Sequence, residues 1–146
     1  MSTSTTHTLN MTRTIKASPE RVFEAWTTPE QMKQWHAPEG VEVVSASVDL
    51  RVGGSYHVHM RSPEGQDYNV RGVYREIKPG GRLVYTWKWE EPEHDVGESV
   101  ISVSFHAVDG GTRIDVVHDL FPSKEARDDH DEGWGSCLNR LEKLLG

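Results

Sequence analysis

Cysteine is almost absent: Cys137 is the only one among 146 residues. A lone thiol cannot close a disulfide within the chain, and a reducing, cytoplasmic setting is the simplest reading of that scarcity. Positive charge is also scarce. Sixteen lysines and arginines stand against 23 aspartates and glutamates, for a formal charge of −7. That balance argues against nucleic acid, which would call for a basic patch or stripe, and gives no support for attraction to an anionic membrane surface. No apolar run approaches the roughly 18 residues of a membrane span, so membrane insertion is not expected. The opening MSTSTTHTLN lacks the basic and apolar regions of a signal peptide. Residues 1–8 are expected to form a flexible tail and residues 9–146 a single domain, long enough to bury a core without staples. There is no internal repeat. Several chemical signatures are missing as well: C-x-x-C, H-E-x-x-H, G-x-S-x-G, a phosphate-binding glycine loop and a dinucleotide fingerprint. No metal and no cofactor is expected.

What is present reads as alternating structure framed by helices. LNMTRTIKAS, from Leu9, suits a first strand. Ser18 followed by Pro19 and Glu20 predicts a helix start, with Val22, Phe23 and Trp26 at helical spacing. Thr28 and Pro29 repeat the signal, with Met32 and Trp35 on one side of a second short helix. Six β-compatible segments follow: VEVVSASVDL, SYHVHMR, YNVRGVYREI, LVYTWKWE, SVISVSF and TRIDVVHDL. Turn signals or a polar loop separate them, which predicts an antiparallel meander and not a parallel sheet. The last segment, capped by Ser123, carries Trp134, Cys137, Leu138, Leu141, Leu144 and Leu145 on one helical stripe. The polar face holds Asp131, Asn139 and Glu142. The predicted class is α+β: a curved antiparallel sheet wrapped around a long C-terminal helix.

Five stretches in this order, SPERVFEAWTTPEQMKQWHAPEG, DLRVGG, REIKPGGRLVYTWKW, GTRIDVVHDLF and DEGWGSCLNRLEKLL, carry a resemblance. Together, from about Thr12 to Leu145, the chain resembles the activator-of-Hsp90-ATPase-homologue branch of the START-like, birch-pollen-allergen-like superfamily, also called SRPBCC. The resemblance implies a helix-grip fold with a cavity between sheet and C-terminal helix, and a theme of binding lipids or other small apolar molecules. Two departures matter. The family often has two aromatic residues where this chain has Trp35-His36, which implies a more polar wall at the cavity entrance. The eukaryotic co-chaperones of this branch carry a further chaperone-binding domain that these residues do not contain.

The candidate cavity walls are Trp26, Trp35, Tyr56, Met60, Tyr74, Trp87, Trp89, Phe105 and Trp134. Strand alternation puts Tyr85, Trp87 and Trp89 on one face, as it does Tyr56, Val58 and Met60, and Ile101, Val103 and Phe105. Each could equally be ordinary core. His118 shares a face with Ile114 and Val116 and is either a hydrogen-bonded core residue, a contact for a polar ligand group, or an acid–base group with a shifted pKa. His130 lies one turn before Trp134 on the apolar stripe and is a candidate polar contact in the upper cavity. His57 and His59 share a strand face as a metal pair would, but alternate against Tyr56, Val58 and Met60 and so are expected in solvent. Asp49 and Arg51 read as a structural ion pair. Glu76 would share the face of Tyr74 if that strand is regular, and a buried carboxyl there would be a proton-transfer candidate. Cys137 reads as a small buried hydrophobe, its acidic surroundings opposing a reactive thiolate. Gly133 is expected beside the stripe, sparing room, and Gly135 on the polar side.

Three functions are compatible with this pattern. Foremost is a small soluble protein that binds a hydrophobic or aromatic small molecule in the cavity. The alternatives are an enzyme using acid–base chemistry there through His118, His130 or Glu76, and a stress- or chaperone-related interaction module. A homodimer is compatible with the sequence. A chaperone partner has only the family's name behind it.

Overall fold

The computed structural model describes residues 7–92 and 97–145. Strand β1 (His7–Ile15) opens the chain, followed by helices α1 (Pro19–Thr27) and α2 (Pro29–Trp35). Strands β2 (Glu42–Val48), β3 (Ser55–Arg61), β4 (Asp67–Lys78), β5 (Arg82–Trp89), β6 (Ser99–Val108) and β7 (Gly111–Phe121) then run as a meander, and α3 (Lys124–Leu145) closes it. The strand order is β1-β7-β6-β5-β4-β3-β2, every pair antiparallel. The class read from the sequence is the one observed. The first strand begins at His7, so His7 and Thr8 belong to the sheet, and the rest of the expected tail lies outside the described residues. No helix among the described residues is long and apolar enough to cross a membrane.

Because β1 and β2 occupy opposite edges of the sheet, α1 and α2 must carry the chain across its concave side. Local chemistry starts and stops them. The hydroxyl of Ser18 accepts from the Arg21 N–H at 3.2 Å, with Pro19 following it. Thr28 ends α1 by donating its N–H to the Glu24 carbonyl, and starts α2 through its own carbonyl, which accepts from Gln31 and Met32. Thr28 is the N-cap residue of α2, as expected, but its side chain makes no cap bond: the backbone of this one residue serves both helices. Ser123 does cap α3, accepting from the Ala126 N–H at 3.1 Å.

Period-two alternation decides the buried face. Ile101, Val103 and Phe105 of β6, with Ile114 and Val116 of β7, meet Trp26 of α1 and Leu138 and Leu141 of α3 in one core. Each such side chain contributes roughly 1.5–3 kcal/mol by leaving water. Gly72 of β4 is required by that packing. A Cβ there would lie 1.9 Å from the Thr86 carbonyl oxygen and 2.7 Å from the Tyr56 ring, whose hydroxyl donates to that same carbonyl at 2.6 Å.

Two irregularities bear on function. A register shift between Tyr74 and Glu76 breaks the alternation of β4. Glu76 therefore does not follow Tyr74 inward. Its carboxylate stands at the surface, 3.5 Å from both Lys78 and Arg82, so it is not a buried proton-transfer group. At the end of β7, Leu120 adopts φ 75, a left-handed conformation unusual for leucine, with its N–H held by the Asp119 carboxylate at 2.8 Å. That turn sends Phe121 into the core between two histidine rings, 4.3 Å from His118 and 4.7 Å from His130 between centroids.

Candidate functional site

Between the inner faces of β3 and β5, the segment after α2, and α3 lies a cavity of about 430 Å³. Its sheet side is formed by Met60, Ser62, Tyr68, Trp87 and Trp89, and its helix side by Ala126, Asp129, His130, Gly133, Trp134 and Cys137. His36, Pro38 and Val41 supply the third wall. That third wall is loop, and α3 holds it in place. The Ser136 hydroxyl accepts from the Glu39 N–H at 2.6 Å, and Arg140 Nη1 donates to the carbonyls of Ala37, Pro38 and Val41 at 2.8, 3.2 and 3.2 Å.

Of the residues singled out from the sequence, Met60, Trp87, Trp89, His130 and Trp134 meet at this cavity. Trp35 and Phe105 are core, and Trp26 stacks on Trp134 at 6.0 Å and 21°. Trp26, Tyr56 and Tyr74 also border a separate void of only about 10 Å³, hardly room for one water. His118 is fully buried, behind Trp134. Sequence reasoning missed Tyr68, although the alternation that selected Tyr74 reaches it through Val70. It also missed Ser62, Ala126 and Asp129, and passed over Pro38 and Val41, which belong to an irregular segment with no period to read. His36 had a signal in the Trp35-His36 departure. Gly133 leaves space as expected: the nearest atom to a Cβ there is Pro38 Cγ at 3.9 Å. Gly135 does not face solvent, but lies over Met11 and Arg13 of β1.

Hydrogen bonds fix the protonation state of two histidines. An indole nitrogen can only donate. Trp134 Nε1–H donates to His118 Nδ1 at 3.0 Å, so the His118 proton is on Nε2, which donates to the Ser99 hydroxyl at 2.7 Å. Ser99 in turn donates to the Trp87 carbonyl at 3.2 Å. Likewise Trp89 Nε1–H donates to His130 Nε2 at 3.0 Å, and His130 Nδ1–H donates to the Ala126 carbonyl at 2.8 Å. Burial lowers both pKa values, that of His118 well below 6.5, with His130 adding to the effect. The Ala126 carbonyl and Asp129 work against the shift at His130. Both rings are neutral at pH 7 and both use their two nitrogens within the protein.

His36 differs. It is 4 % exposed, burial pushes its pKa down to about 4, and its Nδ1 has no partner. Trp87 Nε1 is the other buried side-chain nitrogen without one among the described residues. Each unpartnered group costs about 1–3 kcal/mol. Burial pushes the Cys137 thiol up to about 12 despite the opposing pull of Arg140, so it is no nucleophile at neutral pH. His57 and His59 lie on the outer face, each 2.9 Å from a carboxylate, Glu90 and Asp67. Asp49 and Arg51 form an exposed pair at 2.8 Å. Among the described residues no group of three His, Cys, Asp or Glu side chains is placed to hold a metal. The cavity is thus uncharged and apolar over most of its wall, with Asp129 at its rim.

The model of the family described as Activator of Hsp90 ATPase homolog 1-like protein matches residues 16–146. Solved structures show the same architecture. A Chromobacterium violaceum protein is 28% identical, with a TM-score of 0.86 over 94% of this chain and 96% of that one. The AHSA1 protein of Silicibacter pomeroyi is 28% identical, with a TM-score of 0.85 over 95% and 97%. A Nitrosomonas europaea protein is 26% identical, with a TM-score of 0.80 over 94% and 93%. Among curated proteins, none matches the chain.

Proposed function

The chain belongs to the Activator of Hsp90 ATPase homolog 1-like family, and on this helix-grip fold we propose that it holds a small apolar or aromatic molecule between the sheet and α3. The cavity carries this reading: about 430 Å³, within the range of small-molecule sites, and walled by Met60, Trp87, Trp89 and Trp134 with few polar groups. Indole rings suit such a wall because they offer a large, stiff apolar surface. The test is native mass spectrometry of protein purified from its own host, with displacement of a lipophilic dye in parallel. The expected result is one small molecule per chain, released on denaturation and competing with the dye. No occupancy in the first measurement and no dye binding in the second would refute the proposal.

Acid–base catalysis in the same cavity has less behind it. Its three candidate groups were His118, His130 and Glu76. The two histidines spend both nitrogens on internal partners, and Glu76 stands at the surface among cations. For a chaperone-related role the support is the family's name. Enrichment of a chaperone in a pull-down with this chain would give that role its first direct support.

A further inference from the structure

Most polar side chains around the cavity are engaged within the protein. Ser62 Oγ accepts from the Gln66 N–H at 3.1 Å, and the Tyr68 hydroxyl donates to Gln66 Oε1 at 3.0 Å. Trp89 and Trp134 donate to His130 and His118, and His130 uses its other nitrogen on the Ala126 carbonyl. The nitrogens of His36 and Trp87 that lack partners are enclosed by the protein and offer no surface to a ligand. Asp129 differs from all of these. It lines the cavity and is exposed, and its carboxylate has no hydrogen bond or ion pair among the described residues. Arg127, two residues earlier, is paired with Asp128 at 3.1 Å. The charge of Asp129 reaches the wall nonetheless, drawing the His130 pKa upward against burial.

The balance of charge at the site is therefore one-sided. All 16 lysines and arginines of the chain fall among the described residues, and none lines the cavity. Arg140 is committed to three loop carbonyls. His36, His118 and His130 are neutral at pH 7. An anion carried inward would lose its hydration with no counter-charge to replace it. Held back at the mouth, it would meet the like charge of Asp129. A cation at the mouth meets an unpaired carboxylate instead, and keeps water on its open side. The wall beside it is aromatic, with Tyr68 and Trp89 half-buried, and ring faces attract positive charge.

We propose that the cavity selects by charge: it takes an apolar molecule bearing an amine, whose ammonium group stands at the mouth beside Asp129, and it turns away carboxylates. Asp129 is the specificity-determining residue. The apolar body of the molecule lies along Met60, Trp87 and Trp134. This inference rests on the reading that the cavity binds a small molecule.

Three probes of similar shape test it: the amine 2-(aminomethyl)naphthalene, the neutral alcohol 2-(hydroxymethyl)naphthalene and the anion 2-naphthoate. Each is titrated calorimetrically at pH 7.5 into the wild type and Asp129→Asn. Each charged probe is read as its dissociation constant relative to the alcohol, which cancels any general change in packing. In the wild type the amine is expected to bind about two- to fivefold more tightly than the alcohol, the range of an exposed ion pair. The carboxylate is expected to bind at least about tenfold more weakly than the alcohol. Asp129→Asn should abolish the advantage of the amine. Absence of that advantage in the wild type, its survival in Asp129→Asn, or naphthoate binding as tightly as the amine overturns this inference, while binding of the alcohol leaves the broader reading standing. Failure of all three probes and of a lipophilic dye overturns both.

Discussion

Acidification should unfold this protein from inside, and His36 supplies a magnitude. Its ring faces Trp35, Trp87 and Trp134, with centroids at 5.1, 5.9 and 6.1 Å, and borders Tyr56, Tyr74 and Tyr85 on the other side. Burial raises the pKa of all three phenols, so none of these neighbours brings a charge to stabilise an imidazolium. The folded pKa is about 4, against 6.5 for an ordinary histidine. A histidine with a depressed pKa leaves stability at its full value above pH 6.5. As pH falls from 6.5 toward 4, the unfolded chain takes up a proton that the folded ring refuses, and stability drops. Linkage puts the loss at about 2 kcal/mol by pH 5 and about 3 kcal/mol by pH 4. His118 and His130 act in the same direction. Against a typical total of roughly 5–15 kcal/mol, this is a large fraction. Urea unfolding followed by circular dichroism at pH 7.5, 6 and 5 measures it. In His36→Phe the fall between pH 7.5 and 5 should shrink by about 2 kcal/mol, with an unchanged m-value. At pH 7.5 the variant should match or exceed the wild type, because it removes an unpartnered buried nitrogen. An identical fall in both proteins would refute this reasoning.

Three further substitutions have defined outcomes. Gly135→Ala places its new methyl 3.7 Å from Met11 Cε, an ordinary contact, and should stabilise by about 1 kcal/mol, raising Tm by about 3 °C in a calorimetric melt. Gly133→Leu meets no obstacle at Cβ and directs its side chain into the cavity, so the melt should stay within about 3 °C of wild type while dye affinity falls at least about tenfold. Unchanged dye binding would show that the dye does not use this space. Ser99→Ala leaves the His118 Nε2–H without its acceptor and should cost about 1–3 kcal/mol in urea unfolding. A loss below about 0.5 kcal/mol would mean the buried network adds nothing.

Legibility in the sequence followed periodicity. Every strand could be read because inward and outward residues alternate, and α3 because Trp134, Cys137, Leu138 and Leu141 recur at helical spacing. The same alternation brought Met60, Trp87 and Trp89 to the cavity. It failed where the period breaks. The shift after Tyr74 turned Glu76 outward, and nothing in YREIKPGG announces it. Pro38 and Val41 sit in a loop held by Ser136 and Arg140, so their place in the wall depends on contacts made about a hundred residues later in the chain. Trp26, Trp35 and Phe105 were offered as wall because alternation and helical spacing tell inside from outside. Neither tells which inner residues border empty space.

Whether such a site holds a molecule or transforms it depends on groups able to change protonation while remaining in contact with it. His130 reaches the cavity wall, but protonating its Nε2 would force the Trp89 indole to give up its acceptor. Protonating His118 on Nδ1 would do the same to Trp134. In each case a proton gained is a wall residue unfastened, so the two rings behave as fasteners between α3 and the sheet and not as relays. His36 keeps a free nitrogen, but with a pKa near 4 it is a feeble base at pH 7. On the binding role proposed above, the wall packs against a ligand without exchanging protons with it, which is the chemistry of retention.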